Sequence, residues 1–187
     1  AMAGYVNAVP DDGRSDVYRI SLPNKELFEA FAEVILKPFG GTPSSYIHSF
    51  AIATLDNDIP GMERSLYRML TNVSSRVLVH ENTYQTFITG LLMYLAGRYE
   101  VTADKEAGKG YYDIRLKRRS GDTPNIILEI KNLKEGATRD ALRRSSEDAI
   151  RQVREKDYAC GLTGRTIVYG VTMCGKEPHI LSEEIRS

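Results

Sequence analysis

Asp113, Glu129 and Lys131 are the residues of this chain best spaced to do chemistry. Asp113 closes the run Gly110-Tyr111-Tyr112-Asp113, and Glu129 and Lys131 lie in Ile126-Ile127-Leu128-Glu129-Ile130-Lys131. Both runs have the composition of strands joined by a turn. Strand side chains alternate faces, so Glu129 and Lys131 share one face while Leu128 and Ile130 share the other. An antiparallel register that sets Leu116 against Ile126, Ile114 against Leu128 and Tyr112 against Ile130 gives three apolar pairs on one face. The same register sets Asp113 opposite Glu129 and Tyr111 opposite Lys131. Two carboxylates directly opposite repel, so a positive charge is expected between them, and a bound metal ion would supply it.

A hard divalent cation such as Mg²⁺ or Mn²⁺ takes one or two carboxylates and fills its remaining positions with water or substrate oxygens. Asp113 and Glu129 provide that pair, and the chemistry it fits is phosphodiester hydrolysis, with the cation activating water and offsetting charge at phosphorus. Lys131 reaches the same point and would orient or deprotonate the water, or hold the scissile phosphate. The Ile130 carbonyl is an expected further metal ligand. Glu81, opening a long helix, would add a carboxylate from outside the sheet. Gln152 would position water or phosphate if its helix packs on the same face. Each residue also has a plainer reading. Glu-X-Lys is commonly a solvated sheet face, Glu81 suits the dipole of a first helical turn, and a lone glutamine is by default a surface residue. His48, His80 and His179 are scattered, which argues against a histidine metal centre. No Ser-His-Asp arrangement stands out, and Gly108-Lys109-Gly110 is too short for a phosphate-binding loop.

The elements that must position these residues follow from hydrophobic period and turn signals. Residues 1–20 read mostly as loop, with a turn at Pro10-Asp11-Asp12-Gly13 and an extended piece at Val17–Leu22. Asn24 is placed to cap a helix with Phe28, Phe31, Ile35 and Leu36 inward. A second helix spans about 44–55, with Tyr46, Ile47, Phe50 and Ala51 inward. A third opens at Pro60 and carries the stripe Met62, Leu66, Met69, Leu70 and Val73. From Glu81 to Tyr99 the spacing predicts one long helix. Strands follow at 100–104, 111–116 and 125–131, then a helix over about 138–158 with Leu142, Ala149, Ile150 and Val153 inward. A strand at 165–173 and a short edge strand at His179-Ile180-Leu181 complete the pattern. The order helix, three strands, helix, strand implies an α/β fold, a mixed sheet flanked by helices. We divide the chain into an N-terminal linker and helical segment, 1–78, and a core, 79–187.

Composition bounds the function. The 187 residues include 42% hydrophobic ones, enough for a real core, and the formal net charge is zero, so attraction to nucleic acid must come from a local patch. The helix of 138–156 has six basic residues (Arg139, Arg143, Arg144, Arg151, Arg154, Lys156) against four acidic ones. With Lys131, Lys134, Arg115, Lys117, Arg118 and Arg119 it makes a candidate phosphate-binding surface, although a solvated, ion-paired helix fits equally. Cys160 and Cys174 have no metal-ligand spacing and read as reduced thiols of a cytoplasmic protein. No run approaches the ~18 apolar residues of a membrane helix. The opening Ala1-Met2-Ala3-Gly4 looks like a cloning remnant, and a fragment of a longer protein is expected.

Taken together these residues resemble the PD-(D/E)XK nuclease superfamily, whose core order is the one above and whose signature is an acid on the second strand and (D/E)-X-K on the third: Asp113 and Glu129-Ile130-Lys131. The closer similarity is to the branch found C-terminal to AAA-type ATPase-like domains in bacteria and archaea. Four further matches carry it: Glu81-Asn82-Thr83-Tyr84, the glycine-led Gly110–Asp113, the run Ala149–Tyr158 with Gln152, Lys156 and Tyr158, and Leu22-Pro23-Asn24-Lys25-Glu26 upstream. Tyr111 stands where many relatives have arginine. The resemblance implies a restriction-endonuclease-like fold and Mg²⁺- or Mn²⁺-dependent cleavage of nucleic acid, DNA foremost. Asp113, Glu129, Ile130 and Glu81 would lie at the metal, and Lys131 and Gln152 would assist. It also implies an ATPase-like partner domain in the same longer chain, and a homodimer would suit cleavage of both strands. The competing reading is a non-cleaving recognition or docking module on the nuclease fold.

Overall fold

The computed structural model describes residues 7–10, 18–21, 44–71, 73, 78 and 80–186. The helix expected after Asn24 and the Leu22–Glu26 match lie outside them. Near the N-terminus β1 (Asn7–Pro10) pairs antiparallel with β2 (Tyr18–Ser21). The extended piece was expected; its partner, four residues ending in proline, has no strand signal in the sequence.

Helices α1 (Ser44–Leu55) and α2 (Ile59–Thr71) lie where the apolar spacing puts them. Ile47, Phe50 and Ala51 of α1 are buried, as are Met62, Leu66, Met69 and Leu70 of α2 and Val73 just beyond it. Helix α3 (Glu81–Leu92) is shorter than predicted. After Leu92 the chain tightens into a 3₁₀ turn, Met93–Leu95, and Tyr99 already begins β3 (Tyr99–Ala107). Tyr99 kept the helical period only by coincidence. It is fully buried in the sheet, and its hydroxyl donates to the Pro124 carbonyl at 3.1 Å.

Strands β3, β4 (Gly110–Arg118), β5 (Asn125–Leu133), β6 (Arg165–Cys174) and β7 (Glu177–Arg186) form one sheet in that spatial order. The β5–β6 pair is parallel and the other pairs antiparallel. Helix α4 (Arg139–Glu155), capped by Thr138 Oγ1 on the Ala141 N–H, is the crossover that a parallel pair requires. The short edge strand expected at 179–181 is ten residues long, because β7 follows β6 through a tight turn and pairs along its whole length.

The sheet separates two cores. On one face α1, α2 and α3 pack on Ile114, Leu116, Ile126, Leu128, Ile130, Tyr169 and Val171. On the other, Ile150 and Val153 of α4 pack with Ile127, Val168, Tyr158 and Tyr112. β5, covered on both sides, is buried continuously from Asn125 to Ile130, as an interior strand flanked by helices should be. One glycine sets how closely α4 lies on the sheet. Gly170 of β6 sits beside Glu129 of β5 in register, and a Cβ there would collide with the Ser146 carbonyl of α4. Its missing side chain lets the helix settle over β5 and β6 and brings Gln152 down to Glu129.

Candidate active site

β4 and β5 pair as expected only at Leu116↔Ile126, Arg115↔Ile127 and Ile114↔Leu128. Beyond that point the strands part, and the predicted pairs Tyr112–Ile130, Asp113–Glu129 and Tyr111–Lys131 do not form. The Asp113 carboxylate replaces the ladder: its Oδ2 accepts the Ile130 N–H at 2.7 Å. Facing acids are relieved by separation, and the backbone donor this would orphan is satisfied by the side chain. The irregularity continues into β3. Register places Asp104 across from Asp113, and Asp104 has φ of 49°, a left-handed conformation that aspartate tolerates better than most residues.

Tyr112 departs from the expected face. It belongs to the α4-side core while Ile114, two residues on, belongs to the other. The break in alternation at Asp113 turns the ring to that side. There its hydroxyl meets Thr102 Oγ1 at 2.7 Å and the Arg115 guanidinium lies 4.6 Å from the ring centre. Tyr111, by contrast, is 62% exposed and pairs with Glu106 of β3.

Glu129 is 2% exposed, beneath α4. Its Oε1 receives two donors, Lys131 Nζ at 2.8 Å and Gln152 Nε2 at 2.6 Å. Its Oε2 is buried with no hydrogen-bond partner. Burial pushes the Glu129 carboxyl up to about 7; the Asp113 charge adds to this, Lys131 opposes it and Glu81 adds a smaller push. Burial likewise raises Asp113 to about 6, against the Ile130 N–H and Lys131, with Glu81 and Asp104 adding to the rise. Desolvation works against the Lys131 ammonium, but its bond to Glu129 and the charges of Glu129, Glu81 and Asp113 outweigh it, so its pKa rises and it stays protonated.

The structure therefore joins Glu129, Lys131 and Gln152 by direct bonds, and ties Asp113 to the same strand through the Ile130 N–H. Glu81, in the first turn of α3, is near enough for its charge to act on all three ionisable groups. Two neighbours escaped sequence reading. Gln85 donates to the Asp113 carbonyl at 3.0 Å, and its i+4 spacing from Glu81 was the available signal. Asp104 could have been found by extending the hairpin register around Gly108-Lys109.

Among the described residues no group of three or more His, Cys, Asp or Glu is arranged to hold a metal ion. The donor set still fits a hard divalent cation that needs few protein ligands. A buried carboxylate oxygen without a partner beside a second desolvated acid is an electrostatic deficit that a cation would fill.

A family model described as the PD-(D/E)XK nuclease superfamily matches residues 79–183, more than half of the chain. The chain belongs to this superfamily. Its mixed five-stranded sheet flanked by helices is the restriction-endonuclease-like fold of that group. No curated protein matches the chain. A solved structure described as "Crystal structure of SSO0001" is similar over 87% of this chain and 79% of that one, at 14% identity and a TM-score of 0.28.

The structure also sorts the basic residues of this nuclease-superfamily domain. Arg115 donates to the carbonyls of Tyr158 and Cys160, Arg118 to those of Thr123 and Thr163, and Arg119 to that of Ala96. On α4, Arg143 pairs with Glu147, Arg151 with Asp148 and Glu155, and Arg154 with Glu183. Much of the surface counted as basic is thus engaged in holding loops or pairing along the helix. Among the described residues no helix is long and apolar enough to cross a membrane.

Proposed function

We propose that this domain is a divalent-cation-dependent nuclease that hydrolyses phosphodiester bonds of nucleic acid, with DNA as its substrate. One observation carries the reading: each acid commits one oxygen to the protein, and the other oxygen of Glu129 is buried without a partner. Asp113 commits Oδ2 to the Ile130 N–H, and Glu129 commits Oε1 to Lys131 and Gln152. A Mg²⁺ or Mn²⁺ ion held by Asp113 and Glu129, with the Ile130 carbonyl and Glu81 as further oxygen donors, would make bound water acidic and offset charge growing at phosphorus. Lys131, held protonated against Glu129, places a positive charge where a phosphate oxygen or the attacking water must sit. Gln152 holds Glu129 in place from α4. Tyr111 offers an exposed ring beside the site on which an unpaired base can stack.

The run of matches from Glu81–Tyr84 through Gly110–Asp113 to Ala149–Tyr158 supports placing the domain in the AAA-associated branch. We accordingly propose an ATPase-like domain of the same polypeptide as its partner, a cytoplasmic setting, and a homodimer for cutting both strands of a duplex. Assay of wild type, Asp113→Ala and Lys131→Ala with Mn²⁺ on single- and double-stranded DNA and RNA tests the reading. Activity on DNA lost in both variants is expected. Identical residual activity in all three proteins would refute it. A folded wild type that shows no Mn²⁺ binding by calorimetry would make the domain a non-cleaving docking module instead.

A further inference from the structure

Tyr158 has no role in the reading above, yet it stands where three separated motifs meet. Its hydroxyl accepts from Gln152 Nε2 at 3.2 Å, the same nitrogen that donates to Glu129 Oε1 at 2.6 Å. The Gln152 amide thus spends its donors on a carboxylate on one side and a phenol on the other. If the amide rotated by half a turn, its carbonyl oxygen would face the carboxylate and that bond would be lost, while the phenol, able to donate as well as accept, would hold the amide end in either orientation. Without the phenol, the bond to Glu129 alone would hold the amide end in place.

The phenol is itself tightly held. Tyr158 is 2% exposed and lies edge-on to Tyr112, with ring centres 6.4 Å apart. Its carbonyl accepts from Arg115, and its N–H donates to the Val153 carbonyl at 3.0 Å. Gly110, which leads the Asp113 motif, makes room for it: a Cβ there would sit 3.1 Å from the Tyr158 hydroxyl oxygen. Next to Gly110 the hairpin tip is fastened to the end of α4, where the Lys109 N–H donates to the Lys156 carbonyl at 2.7 Å.

We infer that Tyr158 is a positioning residue: its hydroxyl, admitted by the side-chain-free Gly110, locks the Gln152 amide so that Gln152 and Lys131 both occupy Glu129 Oε1 and Oε2 alone is presented to a cation. This rests on the metal-site reading, but the lock exists in the metal-free protein and can be observed there. It gives the glycine and the tyrosine, separated by 48 positions, one shared task. Groups that orient a ligand from behind commonly change metal affinity by about 10–100-fold when removed.

The test uses Tyr158→Phe, which keeps the buried ring and deletes only the hydroxyl, and Gly110→Ala, which crowds that hydroxyl. The Gln152 side-chain NH₂ signals are followed by ¹H–¹⁵N NMR in metal-free protein, identified by their absence in Gln152→Ala, and Mn²⁺ affinity is measured by calorimetry. In wild type the two amide protons should be distinct and slow to exchange with water. In both variants they should exchange faster, and Mn²⁺ should bind about 10-fold more weakly. Wild-type amide signals in Tyr158→Phe would overturn the inference. Changed amide signals with unchanged Mn²⁺ affinity would overturn it too, reducing Tyr158 to a packing role. Changed amide signals in a series where even wild type binds no Mn²⁺ would sustain the lock and overturn the metal reading instead.

Discussion

The β4–β5 hairpin has two ends built on opposite principles. At the closed end Leu116 faces Ile126 and Ile114 faces Leu128, all four fully buried, and the backbone ladder is regular. At the open end the ladder stops, an aspartate side chain takes a backbone donor, and two acids with raised pKa values share a lysine. The closed end contributes stability by removing apolar surface from water. The open end costs stability, because it holds desolvated charge. The first can therefore bear the strain of the second, and substitutions at the two ends should act in opposite directions on folding and on chemistry.

The largest expected effect on stability lies at the closed end. Leu128→Ala should destabilise the domain by about 2–5 kcal/mol, as cavity-forming changes at fully buried leucines do, read as a lower denaturant midpoint with the slope preserved. An equally stable variant would mean that the closed end is not what anchors the hairpin.

Gly170→Ala joins the two ends. Its Cβ would collide with the Ser146 carbonyl and lift α4, costing about 1–3 kcal/mol as overpacking does. It should also loosen Gln152 from Glu129, so any nuclease activity should fall by more than the lost stability explains.

Glu129→Gln should act with the opposite sign. Glu129 and Asp113 have folded pKa values of about 7 and 6, above their ordinary values of 4.5 and 3.8. The stability that such raised groups contribute is complete below pH of about 4 and is lost as pH rises through 6 and 7. In metal-free protein at pH 8 the Gln variant should therefore be more stable than wild type by roughly 1–3 kcal/mol, and the difference should shrink as pH falls to 5. Thermal melts across that range check it. Saturating Mn²⁺ should reverse the order by stabilising wild type alone, since a ligand bound only to the folded state raises its stability.

The smallest effect is predicted on the solvent side of α4. Arg143→Ala removes an exposed ion pair with Glu147 and should change stability by less than about 0.5 kcal/mol. Its readout is the salt dependence of DNA binding. A slope reduced by about one would make Arg143 a phosphate contact, whereas an unchanged slope would leave it an ordinary helix-surface residue.

Much of this could be read from the chain alone. The helical stripes of α1, α2 and α4 and the apolar pairing of Ile114–Leu116 with Ile126–Leu128 are local periodicities, and burial followed them. The choice of Asp113, Glu129 and Lys131 came from spacing along strands, and those side chains do converge. Errors arose where period and topology disagreed. Tyr99 continues a helical stripe but lies in β3, Tyr112 continues the β4 alternation but sits in the opposite core, and β7 takes its length from the strand it pairs with.

The sequence by itself determined which groups carry charge and which strands bring them near one another, because strand and helix periods are properties of a few consecutive residues. Only the tertiary structure decided what becomes of each oxygen. Parting the strands hands the Ile130 N–H to Asp113. The bare backbone of Gly170 lets α4 lower Gln152 onto Glu129, and Gly110 admits Tyr158 behind it. Those outcomes depend on contacts between residues tens of positions apart, where close packing leaves room for one arrangement and no local pattern records it.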